Sequence, residues 1–197
     1  MTEWAAAGLG LVNQWLTIQR HLLCWPVGIA SVLLYLFVFY EQRLYSDMLL
    51  QAVYIVLQGY GWWNWAREPR MQSSSSSAQV HVVRLKPPHW LGIFAAFVVG
   101  ATALGTAMAR YTDAGVPYGD AGATMLSLLA QWLQARKVLE SWLVFIVANG
   151  VFITIYLLKG LYPTVGLFCV LTALAVFGFI RWRTVYRSQS ATEEKTI

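Results

Sequence analysis

Five apolar runs of about twenty residues, near 24–41, 45–66, 90–111, 140–158 and 162–183, constrain this chain more than any other feature. About twenty residues at 1.5 Å each match a hydrocarbon core of about 30 Å, so each run predicts a helix that crosses a bilayer. A spanning β-barrel would alternate apolar and polar residues in strands of about ten, and here the apolar residues are continuous. With 58% hydrophobic and 12% charged residues and a mean hydropathy of +0.53, the composition excludes an ordinary soluble domain. Two further segments, 3–20 and 118–137, are weaker, because Asn13, Gln14 and Thr17 interrupt the first and Asp120, Thr124, Ser127 and Gln131 the second. The N-terminus shows neither a basic start nor a small-residue cleavage pattern, so no signal peptide is expected. Cys24 and Cys169 fall inside spans and are expected as buried apolar side chains.

Self-comparison decides the weak segments. Shifted by 117 positions, residues 1–67 fall on 118–184 without a gap, and about a quarter of the pairs are identical, where biased membrane composition gives nearer a tenth. Gln14-Trp15-Leu16 falls on Gln131-Trp132-Leu133, Trp25 on Trp142, Leu44-Tyr45 on Leu161-Tyr162, Gly61 on Gly178 and Trp65 on Trp182. The chain therefore reads as an all-α integral membrane protein of seven transmembrane helices, two three-helix repeats joined by a linker helix. Three helices plus one make an even number of crossings, so the repeats run parallel. The expected division is 1–67 for the first repeat, 68–89 for a polar loop holding the serine run 73–77, 90–112 for the linker helix, 113–184 for the second repeat and 185–197 for a tail. Pro87-Pro88 mark a start for the linker helix.

Eleven of the fourteen lysines and arginines, from Arg20 to Lys195, fall on one side of this arrangement, against Arg43, Arg110 and Lys159 on the other. The positive-inside rule then places the C-terminus in the cytoplasm and, with seven crossings, the N-terminus outside. The net charge of +5 needs no nucleic-acid partner, since these residues meet the anionic surface of the lipid bilayer.

No phosphate loop, zinc spacing or nucleophile elbow occurs, so neither catalysis, a metal nor a cofactor is expected. Polar groups at membrane depth are the informative feature, because they are costly there unless used. Gln51, Gln58, Trp62 and Trp65 share one face of the third helix at i, i+7, i+11 and i+14. Trp142, Phe145 and Asn149 share one face of the sixth, and Asp120, Thr124, Ser127 and Gln131 form a stripe on the fifth. Interhelical hydrogen bonds are the structural alternative for the amides, and an interfacial belt the alternative for Trp63 and Trp65. Trp4, Trp90 and Trp182 lie near span ends and read as interfacial anchors. Gln51 falls on Phe168 and Asn149 on Val32, so each amide lacks a counterpart, as a single asymmetric solute would require. The candidate substrate-binding set is Gln51, Gln58, Trp62, Trp65, Thr124, Gln131, Trp142, Phe145 and Asn149. Indole rings stack on a flat solute while amides bond its hydroxyl or carboxamide groups. Acidic residues stand toward span ends, so no proton or sodium coupling is expected.

The segment LYSDMLLQAVYIVLQGYGWWNW at 44–65 resembles the PnuC family of nicotinamide riboside transporters, whose corresponding helix ends in YGW-x-x-W. DAGATMLSLLAQWLQARKVLESW at 120–142 and NGVFITIYLLKGLYPT at 149–164 look like that family's second repeat. The resemblance implies a 3+1+3 fold like that of the SWEET sugar transporters. It further implies facilitated diffusion of a small vitamin-like solute across a bacterial inner membrane and trapping by a cytoplasmic kinase. One departure is that the family's W-x-x-W in the sixth helix reads Trp142 to Phe145 here. Nicotinamide riboside is the leading solute, thiamine or riboflavin the alternative, and a membrane scaffold without transport the reading from another class. A homo-oligomer is left open.

Overall fold

The structure, a computed structural model, describes residues 2–41, 45–67, 81–112 and 115–194. The serine run at 73–77 and the basic residues Arg43, Arg70 and Lys195 lie outside them. Seven helices follow in order: α1 Thr2–Ile18, α2 Cys24–Glu41, α3 Tyr45–Ala66, α4 Pro87–Tyr111, α5 Pro117–Ala135, α6 Ser141–Leu158 and α7 Tyr162–Glu194. Four of them, α2, α4, α6 and α7, are by themselves long and apolar enough to cross a membrane. α1, α3 and α5 fall short of that by themselves: Asn13, Gln14 and Thr17 interrupt α1, Asp120, Thr124, Ser127 and Gln131 interrupt α5, and α3, expected as a plain apolar run, also carries Gln51, Gln58 and Asn64. α7 continues ten residues past 184, through positions expected to form a tail. At 1.5 Å per residue its 33 residues reach about 50 Å, so its last turns project beyond the hydrocarbon.

Within each repeat the helices pack in succession, α1 on α2 on α3 and α5 on α6 on α7. The repeats meet where α3 packs on α5 and α1 on α7, which closes a ring of six helices. α4 packs on α5 alone and stays outside the ring, with most of its surface exposed, as a linker facing lipid would be.

The 117-residue correspondence extends to backbone detail. α1 ends with Arg20 N–H on the Thr17 carbonyl at 2.9 Å and His21 N–H on the Leu16 carbonyl at 3.0 Å. α5 ends with Lys137 N–H on Gln134 at 2.9 Å and Val138 N–H on Leu133 at 3.0 Å. Arg20 and Lys137 both take the left-handed conformation, with φ of 59° and 63°. Each is the residue just past a helix end whose doubled hydrogen bonds close the last turn, a place usually given to glycine. Holding a side chain there costs about 1 kcal/mol, and the same cost accepted twice, 117 residues apart, marks one turn used twice.

One feature has no counterpart among the described residues of the first repeat. After the serine-rich stretch the chain crosses the end of the second repeat as a short extended strap. Val83 forms a parallel β-bridge with Val138, donating its N–H to Lys137 at 3.0 Å and accepting from Leu139 at 2.9 Å. Glu140 fixes the next two residues, one carboxylate oxygen accepting from Arg84 Nε at 3.0 Å and the other from Leu85 N–H at 3.1 Å. Val82, fully buried, donates its N–H to the Gln189 Oε1 of α7 at 3.2 Å. At the equivalent turn of the first repeat, exposed Leu23 stands where Glu140 stands here.

Candidate functional site

Four tryptophans cross the lumen of the ring at the end where α1, α3 and α5 finish. Trp25 meets Trp65 edge-on at 5.2 Å, Trp65 meets Trp182 at 6.0 Å, and Trp182 meets Trp142 edge-on at 5.5 Å. The central pair joins α3 to α7, helices with no backbone contact, so these rings seal the space between the repeats. All four are at most 3% exposed. Each half is held alike: Trp65 Nε1 donates to the Gln134 carbonyl and Trp182 Nε1 to the Thr17 carbonyl, both at 3.3 Å. Glycine is required opposite the outer rings, since a Cβ on Gly61 would run into the Trp25 ring and one on Gly178 would lie 2.8 Å from Trp142.

The expected interfacial role of Trp182 is therefore corrected. α7 runs on past it, and the end of α1 covers its indole. Trp65 likewise belongs to the plug and not to a belt, whereas Trp63 is exposed beneath the Arg67 guanidinium, 3.8 Å from its ring centroid. Trp25, Trp182 and Gln134 were not among the candidate residues. The signal that could have found the two tryptophans was their identity across the repeats. Cys24 is buried as expected, but Cys169 is exposed, on a face of α7 turned away from the ring.

Above the plug the repeats differ. Gln58 of α3 is 4% exposed and lays its amide on Gly28 of α2, one turn from Trp25. The corresponding positions hold Ala175 and Phe145, so the bulk lies on the third helix of one repeat and on the second helix of the other. Phe145 packs against the cluster that contains Trp142, Ala175 and Trp182. Asn149, two turns along α6 from Trp142, is buried where Val32 stands in the first repeat.

Among the described residues, none of the side-chain amides of Gln51, Gln58, Gln131 and Asn149 forms a hydrogen bond, and the Gln58 oxygen is completely buried without a partner. The alternative role of these amides, as hydrogen-bonded links between helices, thus finds no support. A buried amide left unmade costs about 1–3 kcal/mol, a cost a fold tolerates where another partner binds. The indole nitrogens of Trp25 and Trp142 and the Ser141 hydroxyl are orphaned in the same region.

The remaining candidates are less closely drawn in. Trp62 is 42% exposed and touches none of the plug rings. Gln51 is half-buried, and its counterpart Phe168 packs on Phe152 and Tyr156 of α6 at 5.0 and 5.4 Å. Thr124 and Gln131 are half-buried on α5. At the opposite end of the bundle Asp120 pairs with Lys159 at 3.2 Å. Among the described residues no group of acidic, histidine or cysteine side chains is placed to hold a metal ion.

A closed ring of membrane helices, sealed at one end by matched aromatic residues and lined unequally by unspent amides, has the build of a transporter and not of an enzyme. The family model described as nicotinamide mononucleotide transporter matches residues 1–184, and the chain belongs to that family. It is 26% identical over 179 residues to the nicotinamide riboside transporter PnuC of Escherichia coli, covering 79% of this chain and 73% of that one. It is also 26% identical over 178 residues to the riboflavin/roseoflavin transporter RibM of Streptomyces davaonensis, covering 88% and 80%. A crystal structure of the vitamin B3 transporter PnuC superposes with a TM-score of 0.77 at 23% identity, over 95% of this chain and 82% of the other, which establishes the shared fold.

Proposed function

We propose that this chain is a uniporter for nicotinamide riboside in a bacterial inner membrane, with its N-terminus outside and its C-terminus in the cytoplasm. The solute binds above the tryptophan plug, between Gln58 of the first repeat and Asn149 of the second, against the Trp142 and Phe145 rings. The observation that carries this reading is the pair of buried, unpartnered amides placed unsymmetrically in an otherwise symmetrical ring. Separation of Trp65 from Trp182 then opens the sealed end, and phosphorylation by a cytoplasmic kinase keeps the solute inside. Acidic groups stand only at the ends of the spans, which supports equilibration without ion coupling.

A second solute has a specific observation in its favour. RibM shares the same 26% identity with this chain as PnuC does, and Phe145 occupies the place of the second tryptophan in the family's W-x-x-W pattern. Riboflavin or thiamine would then replace nicotinamide riboside on the same amides. Calorimetric titration of the purified protein with all three solutes separates the readings. Gln58→Leu and Asn149→Leu should each weaken binding of the preferred solute about 5- to 150-fold, the equivalent of one unpaired polar group, without lowering the melting temperature. Unchanged affinity in both variants would overturn the site.

A further inference from the structure

On the outer surface of the second repeat a cleft of about 340 Å³ runs between α6 and α7 at the sealed end of the bundle. Its floor is apolar, formed by Leu143 and Phe179, each one turn deeper in its helix than the charged rim. The rim carries Arg183 and Arg187 of α7 and Arg84 of the strap, with Tyr186 between them. The sequence changes character at this level, from the apolar Val176–Ile180 to Arg181, Arg183 and Arg187, so the rim lies where hydrocarbon gives way to headgroups.

Charge in the cleft is unbalanced. Glu140 is its one carboxylate, and both oxygens are taken, by Arg84 Nε and by Leu85 N–H, with the side chain 8% exposed. The Arg84 guanidinium leans 5.9 Å from the Tyr186 ring, its side chain is 60% exposed, and its hydrogen bond to that carboxylate is made by Nε alone. Arg183 and Arg187 stand four residues apart, on one face of α7, and make no ion pair with any described residue. Three guanidiniums against one spent carboxylate, above an apolar trough, form a cation-lined mouth with a greasy throat.

We infer that this cleft is a binding site for an anionic phospholipid, its phosphate held by Arg84, Arg183 and Arg187 and one acyl chain lying along Leu143 and Phe179. Guanidinium forks match phosphate oxygens bidentately, and a basic rim at the membrane surface adds the leaflet's own potential. The headgroup bridges the strap to α7, beside the Val82–Gln189 bond that already joins them. The lipid thereby braces the closed end of the second repeat.

Short-chain phosphatidylglycerol titrated into detergent-solubilised protein should raise its melting temperature, while phosphatidylcholine of the same chain length and glycerol phosphate should not. Arg187→Gln alters one exposed side chain and should weaken the phosphatidylglycerol effect by about tenfold in concentration, the loss of one charge-assisted hydrogen bond. Adding Arg183→Gln should abolish it. Arg67→Gln with Arg136→Gln removes equal charge from the same end outside the cleft and should leave the effect intact. An equal response to phosphatidylcholine, or a response surviving in the Arg183 and Arg187 double variant, overturns the site. A full response to glycerol phosphate would show a soluble anion site and overturn the lipid. None of these readouts depends on which solute is transported.

Discussion

Trp182 donates its indole N–H to the carbonyl of Thr17 across 165 positions of sequence, and Trp65 makes the same bond to Gln134, 117 residues from Thr17. The plug is thus held from both sides by carbonyls in the last turns of α1 and α5. Because those carbonyls also accept from Arg20 and Lys137, removing the indole donor leaves no acceptor stranded. Trp182→Phe and Trp65→Phe should each cost about 1 kcal/mol, equal within error, whereas either alanine variant should cost about 3–5 kcal/mol. Thermal melts in detergent measure this, and markedly unequal phenylalanine variants would contradict the matched roles.

Gly178→Ala should destabilise by about 1–3 kcal/mol, because a methyl would meet the rigid Trp142 ring at 2.8 Å, and Gly61→Ala should do the same against Trp25. Gly166→Ala, in the same helix as Gly178 with open space around it, should be neutral or slightly stabilising. The same melts test the contrast.

Gly28→Ala differs in kind. Its methyl would displace the end of the flexible Gln58 side chain, not a ring. Stability should change little while solute affinity falls by about an order of magnitude, the effect of misplacing one hydrogen-bonding group. Wild-type affinity by calorimetry would remove Gln58 from the site.

The Asp120–Lys159 pair lies near the other end of the bundle with both side chains partly exposed, so it should contribute less than about 1 kcal/mol. Asp120→Asn should leave counterflow in proteoliposomes unchanged, and in neither protein should an imposed proton gradient drive accumulation. Accumulation lost in Asp120→Asn would make this carboxylate a coupling group.

Hydrogen exchange should distinguish the two matched turns. Amides of Val83 and Leu139 are paired across the strap, whereas at 19–23 no described residue forms such a bridge. Peptides covering 137–141 should exchange at least about tenfold more slowly than those covering 19–23, and Glu140→Gln should narrow the gap by loosening the strap. Equal rates in the unaltered protein would show that the strap detaches freely.

The sequence alone determined the architecture, because runs of twenty apolar residues admit only helices in lipid and a 117-residue self-match leaves few ways to arrange them. It also singled out Gln58, Trp142 and Asn149, since amides and indoles at membrane depth are too costly to be incidental. Tertiary structure decided what periodicity cannot carry. A helical face says which residues lie together, not whether they meet a ring, a seam or lipid, and so Trp62 and Gln51 shared a stripe with Gln58 and Trp65 without sharing their burial. Trp182 looked like an anchor until α1 was seen to cover it, a contact 165 residues long in sequence. The strap was equally hidden, because six residues bonded chiefly through their backbone leave almost no pattern in side chains.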